Sequence, residues 1–134
     1  MSLEIARRDT EGVAIFDLQG RLVAGVETGV LRDRIKEASD AGAVNAILNL
    51  EGVDFIDSTG LGALVICFTT LRKAGGALKL LNLSRKNVEL LVLTKLTTVF
   101  EVFNDEQDAV NSFFPGREKK KFDILAFVQQ NRKE

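Results

Sequence analysis

The residues best suited to chemistry in this chain lie at positions 54–62, where the sequence reads Asp-Phe-Ile-Asp-Ser-Thr-Gly-Leu-Gly. An apolar strand is predicted at 44–50 and an apolar helix from about Thr59, so three side chains of the capping type, Asp57, Ser58 and Thr59, meet where a helix begins. Free backbone N–H groups and the positive end of the helix dipole favour a phosphate at such a place. The pattern is therefore a first indication of a phosphorylation switch at the Ser58 hydroxyl.

The same residues allow three other interpretations. Ser58 could serve only as an N-cap, and Asp54 with Asp57 could be paired carboxylates for a metal or for acid–base work, although turn and cap chemistry explains two isolated acids better. Ser58 could also be a hydrolase nucleophile. The chain has no histidine, and the motifs Gly-x-Ser-x-Gly and Gly-x-x-x-x-Gly-Lys-Ser/Thr are absent. We therefore predict a protein that is not an enzyme and that has no catalytic residue, metal or cofactor.

Length and composition predict one compact domain. The chain has 134 residues, of which 46% are hydrophobic and 28% charged. This composition supplies enough apolar residues for a core and is not that of a disordered chain. The net charge is -1, and there is no general excess of Lys and Arg. Because a nucleic-acid partner requires a basic face, nucleic acid is not the expected partner.

The N-terminus and the single cysteine predict a cytoplasmic location. The chain begins without the apolar stretch of a secretory signal, and no apolar run approaches the roughly 18 residues of a membrane span. Cys67 lies within the predicted apolar helix, where a small buried side chain is the expected role. We expect a reducing compartment and no direct membrane span.

The chain begins with a predicted hairpin. Two short strands, at 3–8 and 13–18, flank a turn of suitable length and composition. After a loop, Thr28 is predicted to cap a helix whose apolar residues recur at helical spacing and which ends at Gly42.

From residue 44 onward, strands and helices alternate. The apolar density of 44–50 predicts a strand covered on both faces at the centre of the sheet. Further strands are predicted at 77–83 and 99–103, with Ser84 capping one helix and Asn104-Asp105 opening the last. Such alternation predicts parallel strands, so the fold class is α/β: a mixed β-sheet with an N-terminal hairpin.

The composition changes after Gly116. We predict a domain at 1–116 and a basic extension at 117–134, which has six basic and three acidic residues and a net charge of +3. The apolar stretch 122–128 can form a short helix that packs on its own domain, or that binds a partner, a second copy of the chain or a membrane surface.

Residues 55–62, with Gly75-Gly76 and the run 80–83 at suitable distances, closely resemble the STAS domain, in particular that of bacterial anti-sigma factor antagonists. The resemblance covers roughly residues 3–114. It implies a single STAS-like domain in which Ser58 is phosphorylated by an anti-sigma factor that is itself a serine kinase. The unmodified antagonist would bind that kinase and free the sigma factor, and a serine phosphatase would restore the unmodified form.

The resemblance also implies a partner surface around this serine, and it leaves a homodimer open. We assign that surface to Asp54, Asp57, Ser58, Thr59, Gly60, Leu61, Arg21 and Val23. Many antagonists carry an acidic residue in a Gly-x-Leu-Asp run, whereas this chain has Val23 at the last position. That departure keeps a second hypothesis open, a STAS relative that is never phosphorylated and serves as a signalling scaffold or as a cytoplasmic accessory of a transport system.

Overall fold

The computed structural model describes residues 3–132, with side chains up to residue 129. Its five strands form one sheet in the order β1-β2-β3-β4-β5. β1 pairs antiparallel with β2, and the other three pairings are parallel. The strands are β1 Glu4–Thr10, β2 Val13–Leu22, β3 Asn45–Ile56, β4 Ala77–Leu81 and β5 Val102–Phe103. The predicted mixed α/β fold, with its N-terminal hairpin and its central strand, is confirmed.

Helices connect the parallel strands. A short 3₁₀ helix, Leu96–Thr98, precedes β5. The α-helices are α1 Val26–Asp40, α2 Ser58–Lys73, α3 Arg85–Leu93, α4 Glu106–Asn111 and α5 Ile124–Arg132. Among residues 3–132, no helix is long and apolar enough to cross a bilayer.

The sheet has a core on each face because side chains alternate along a strand. Residues such as Phe16 and Leu48 pack with α1 and α2 residues on one face. Ile15 and Ile47 pack with α4 residues on the other. Cys67 is buried in the first core, as predicted, and burial raises the pKa of its thiol to about 12.

Several strand boundaries differ from the prediction: β1 and β2 extend to Thr10 and Leu22, β4 ends at Leu81, and β3 and β5 differ most. β3 does not end at residue 50 before an acidic turn but continues to Ile56, because its parallel pairing with β2 extends to the pair Leu22 and Ile56. β5 contains only Val102 and Phe103, since only these residues pair with β4. The longer β3 brings residues 51–56 into the sheet and places Asp57 directly after a strand.

The start of α1 also differs. Thr28 is not the cap: the helix begins at Val26 after Gly25, which has a φ of 138°. The Thr28 hydroxyl lies in the first turn, is buried, and donates a hydrogen bond to the Gly25 carbonyl at 3.2 Å. This early start brings the loop before α1 close to the beginning of α2.

The extension after Gly116 packs against the β5 margin of the sheet. The Phe122 N–H donates to the Val102 carbonyl at 2.9 Å, and the Phe122 side chain packs against the first core. Lys121 forms an ion pair with Glu101 at 3.0 Å. Asp123 caps α5 by accepting the N–H of Ala126 at 2.9 Å, so the extension is tied to the domain by backbone, apolar and charged contacts.

Candidate functional site

Asp57 caps the first turn of α2. It has an extended backbone, and its Oδ1 accepts the N–H of Gly60 at 2.7 Å, which is the geometry of an N-cap. The interpretations that gave the cap to Thr59 or to Ser58 are therefore wrong. Because β3 runs to Ile56, the first non-strand residue is Asp57, and the helix starts one residue earlier than predicted.

The second carboxylate oxygen of Asp57 ties this turn to the loop after β2. Oδ2 accepts the N–H of Ala24 at 2.9 Å, and the Asp57 N–H donates to the Leu22 carbonyl at 3.1 Å. The Ala24 N–H, followed by that of Gly60, holds the pKa of Asp57 below its usual value, and the charge of Arg21 acts in the same direction. Asp57 is thus an ionised carboxylate that orders the site, as turn and cap chemistry predicts.

Gly60 sits where α2 presses on β2. A Cβ at this position would lie 2.0 Å from the Leu22 carbonyl oxygen, so only glycine fits without backbone movement. Gly62 differs, since a Cβ there would meet nothing within 4 Å. Both glycines of the Gly-Leu-Gly run were expected to let another backbone come close, and in this structure only Gly60 does so.

Ser58 is the free hydroxyl of the site. Its side chain is exposed, and it forms no hydrogen bond with any residue between 3 and 129. Thr59, the next residue, is also exposed. A hydroxyl at the positive end of a helix, with no engaged partner, can accept a phosphate without breaking an existing contact.

A ring with two cations lies beside the serine. Phe55 is 37% exposed, and the Arg21 guanidinium and the Lys86 ammonium lie 5.4 and 5.7 Å from its ring centroid. Asp54 is exposed next to it in the chain. Among the described residues, no group of three or more Cys, Asp or Glu side chains is arranged to hold a metal ion.

The structure divides the predicted surface residues into three groups. Asp54, Ser58, Thr59 and Arg21 are exposed, whereas Asp57 and Val23 are half-buried. Gly60 and Leu61 are buried, so they support this surface from below, and we no longer count them among residues that a partner would touch.

Two surface residues escaped the sequence interpretation. Val26 is 77% exposed in the first turn of α1, two residues beyond the Ala24 N–H that Asp57 holds. Lys86 follows the Ser84 cap of α3, which accepts the N–H of Asn87 at 3.2 Å as predicted. The predicted Ser84 cap could have pointed to Lys86, because it places the start of α3 just after β4. The carboxyl ends of the parallel strands β3 and β4 lie on the same side of the sheet, so the start of α3 lies on the same side as the start of α2.

The pattern of the STAS domain matches residues 4–109. The chain belongs to the STAS domain family. Among curated relatives, it is 34% identical over 110 residues to the anti-sigma-B factor antagonist of Listeria monocytogenes, covering 79% of this chain and 91% of that protein.

Solved STAS structures share the fold. An anti-sigma factor antagonist from Mycobacterium paratuberculosis has a TM-score of 0.73 at 21% identity, covering 84% of this chain and 94% of that one. The Bacillus cell fate determinant SpoIIAA in its phosphorylated form has a TM-score of 0.64 at 23% identity, covering 81% and 98%. At these identities the likeness concerns the fold of the STAS domain.

Removing the Asp57 carboxylate should destabilise this STAS domain in a pH-dependent way. The folded pKa of Asp57 is lowered, so its contribution is present above the unfolded pKa of about 3.9 and is lost as pH falls through the folded value. We expect Asp57→Ala to lower the urea midpoint at pH 7 and to differ less from wild type near pH 3.

Asp54→Ala is the matched control, because Asp54 is an exposed acid that accepts no hydrogen bond in the described chain. It should leave the urea midpoint close to that of wild type at both pH values. An Asp57→Ala midpoint equal to the control at pH 7 would show that the cap contributes nothing to stability.

Proposed function

We propose that this STAS protein is an anti-sigma factor antagonist that binds an anti-sigma serine kinase when Ser58 is unmodified and is released when Ser58 is phosphorylated. The observation that carries the proposal is the exposed, unengaged Ser58 hydroxyl at the start of α2. It stands in a chain that is 34% identical to a relative named anti-sigma-B factor antagonist. Release of the kinase's sigma factor would then follow from binding, without catalysis by this chain.

The site supports a switch that changes a surface and not the fold. The Asp57 cap and the Gly60 contact are complete without the Ser58 side chain, so a phosphate there leaves both in place. The helix dipole favours the phosphate, while the charges of Asp54 and Asp57 oppose it. Because these local effects oppose each other, we expect phosphorylation to leave the fold unchanged. The added charge then acts mainly on the binding of a partner.

Several exposed groups near the start of α2 are available to a partner. They are the hydroxyls of Ser58 and Thr59, the Phe55 ring with Arg21, and the apolar side chain of Val26, which follows the loop that Asp57 holds. An exposed aromatic ring and an exposed aliphatic side chain are the kind of groups that fill pockets in a protein partner. The surface fits the kinase domain of an anti-sigma factor in the cytoplasm, and a serine phosphatase would need the same access to Ser58.

Intact-mass analysis with ATP and an anti-sigma serine kinase from the same organism tests the acceptor site. Wild type should gain the mass of one phosphate, and Ser58→Ala should gain none. Thr59→Ala is the matched control, since it removes the neighbouring exposed hydroxyl, and it should be modified like wild type. Equal modification of Ser58→Ala and wild type would move the site elsewhere.

The second candidate function is a STAS scaffold or a transport accessory that is never phosphorylated. The observation that favours it is Val23, which is half-buried and uncharged where the resembling antagonists carry an acid. This function predicts no phosphate on wild type in the mass experiment, together with stable complexes that Ser58→Asp leaves intact.

A further inference from the structure

The Phe55 ring holds two cations that form no ion pair with a carboxylate within the described chain. Arg21 and Lys86 both lie within 6 Å of the ring centroid, at 5.4 and 5.7 Å, and they come from different elements, β2 and α3. Neither side chain forms an ion pair or a hydrogen bond within the described chain. By contrast, Arg8 and Arg117 are both engaged by carboxylates. Two cations are therefore available on one exposed ring.

Strand register places Arg21 close to the start of α2, and the shared Phe55 ring brings Lys86 to the same place. Arg21 pairs with Phe55 between β2 and β3, and the next residue of β2, Leu22, pairs with Ile56. The Leu22 carbonyl accepts the Asp57 N–H, so Arg21 is anchored one residue from the backbone that starts α2. The charge of Arg21 acts on Asp57, the immediate neighbour of Ser58.

We propose that Arg21 and Lys86 leave the Phe55 ring and hold the phosphate of phosphorylated Ser58. Charge-assisted hydrogen bonds to phosphate are stronger than cation–π contacts at an exposed ring, so the exchange is favourable. The Arg21 guanidinium can offer two parallel N–H donors to phosphate oxygens, and the Lys86 ammonium adds a point charge. The proposal rests on the proposed function, because it needs a phosphate at Ser58.

This rearrangement would give phosphorylation a second effect on the surface. Besides adding charge at Ser58, it would strip the Phe55 ring of both cations, so the patch presented to a partner would change from cationic and aromatic to anionic with a bare ring. A partner that binds the unmodified patch would lose its contacts with both cations at once. A phosphatase would meet a phosphate already held in one orientation.

The charged groups around Ser58 fix the sign of the expected titration. Asp57 and Asp54 precede Ser58 in the chain, and Glu27 lies in the first turn of α1, whose leading loop Asp57 holds. These three acids raise the second pKa of the phosphate, whereas Arg21, Lys86 and the α2 dipole lower it. If the cations contact the phosphate directly, the lowering wins, and the second pKa lies below the usual value of about 6.

The test is a phosphorus-31 NMR pH titration of the full chain with phosphoserine genetically encoded at position 58. Arg21→Ala should raise the second phosphate pKa by about 0.7, the effect of one charge in contact at about 4 Å in water, and Lys86→Ala should raise it in the same direction. Arg21→Lys keeps the charge and should stay close to the unsubstituted phosphoprotein. Lys73→Ala, at the far end of α2, is the control and should leave the pKa unchanged.

The proposal is overturned if Arg21→Ala or Lys86→Ala titrates like the unsubstituted phosphoprotein, or if Lys73→Ala shifts the pKa equally. Because the phosphoserine is encoded and not added by a kinase, the titration is independent of whether Ser58 is a kinase substrate. Failure of the mass experiment and failure of this titration are thus separate results.

Discussion

Phosphorylated protein should bind its anti-sigma kinase about a thousandfold more weakly than unmodified protein. A partner shaped for the Ser58 hydroxyl would have to bury a group carrying about -1.5 to -2 charges, and a loss of about 4 kcal/mol in binding free energy corresponds to that factor. The expected loss is large because Ser58 is exposed at the start of α2, three residues after the exposed Phe55 ring. Calorimetric titration of the kinase with each form measures it.

Variants separate charge from shape in this experiment. Ser58→Ala should bind the kinase like unmodified wild type, whereas Ser58→Asp should bind more weakly, though less so than the phosphoprotein because it adds a single charge. Thr69→Asp places the same charge on an exposed position of the same helix, three turns further on, and should leave the affinity unchanged. Equal affinities of Ser58→Ala and Ser58→Asp would rule out a switch driven by charge.

Gly60→Ala should destabilise the domain by about 3 kcal/mol, a large effect for a single added methyl group. The new Cβ would lie 2.0 Å from the Leu22 carbonyl oxygen and 2.7 Å from its carbon, and neither backbone atom can move without disturbing the pairing of β2 with β3. Relief would require α2 to shift away from β2, which would also lengthen the Asp57 hydrogen bonds. Urea unfolding of wild type and variant gives the difference in unfolding free energy.

Gly62→Ala provides the matched control two residues along the same helix. Its Cβ would meet nothing within 4 Å, so the substitution should stabilise α2 by about 0.5–1 kcal/mol through the lower entropy of the unfolded chain. Opposite signs for these two variants are the expected result. A stable Gly60→Ala protein with unchanged kinase binding would mean that the close contact between β2 and α2 does not position the serine.

Much of this architecture follows from local sequence signals. The apolar run at 44–50 is dense enough to require cover on both faces, and it became the central strand β3. The short turn after Thr10 and the alternating strands and helices predicted the hairpin and the parallel sheet. The caps at Ser84 and Asp105 were recognised because each is a short polar side chain directly before an apolar helix.

The errors arose where tertiary pairing overrides local chemistry. Residues 51–56 have the composition of a turn, yet parallel pairing with β2 keeps them in β3, and this moved the cap of α2 to Asp57. Thr28 is a good cap by type, but Gly25 opens α1 before it. The pairing of Asp57 with Ala24 and the meeting of Arg21 with Lys86 join residues far apart in the chain, and no periodicity in one sequence can place them together.

The extension after Gly116 has a consequence for how copies of this protein can meet. Unpaired backbone groups at the edge of a sheet can pair with a strand of another molecule. The Val102 carbonyl would be such a group, but it already accepts a hydrogen bond from the Phe122 N–H. The opposite margin, β1, carries the ion-paired side chains of Arg7 and Asp9, and charged side chains on an exposed strand disfavour pairing with a strand of another molecule. A dimer that continued the sheet past β5 would first have to break the Phe122 hydrogen bond and expose the Phe122 side chain. Association through helical or loop faces therefore costs less free energy.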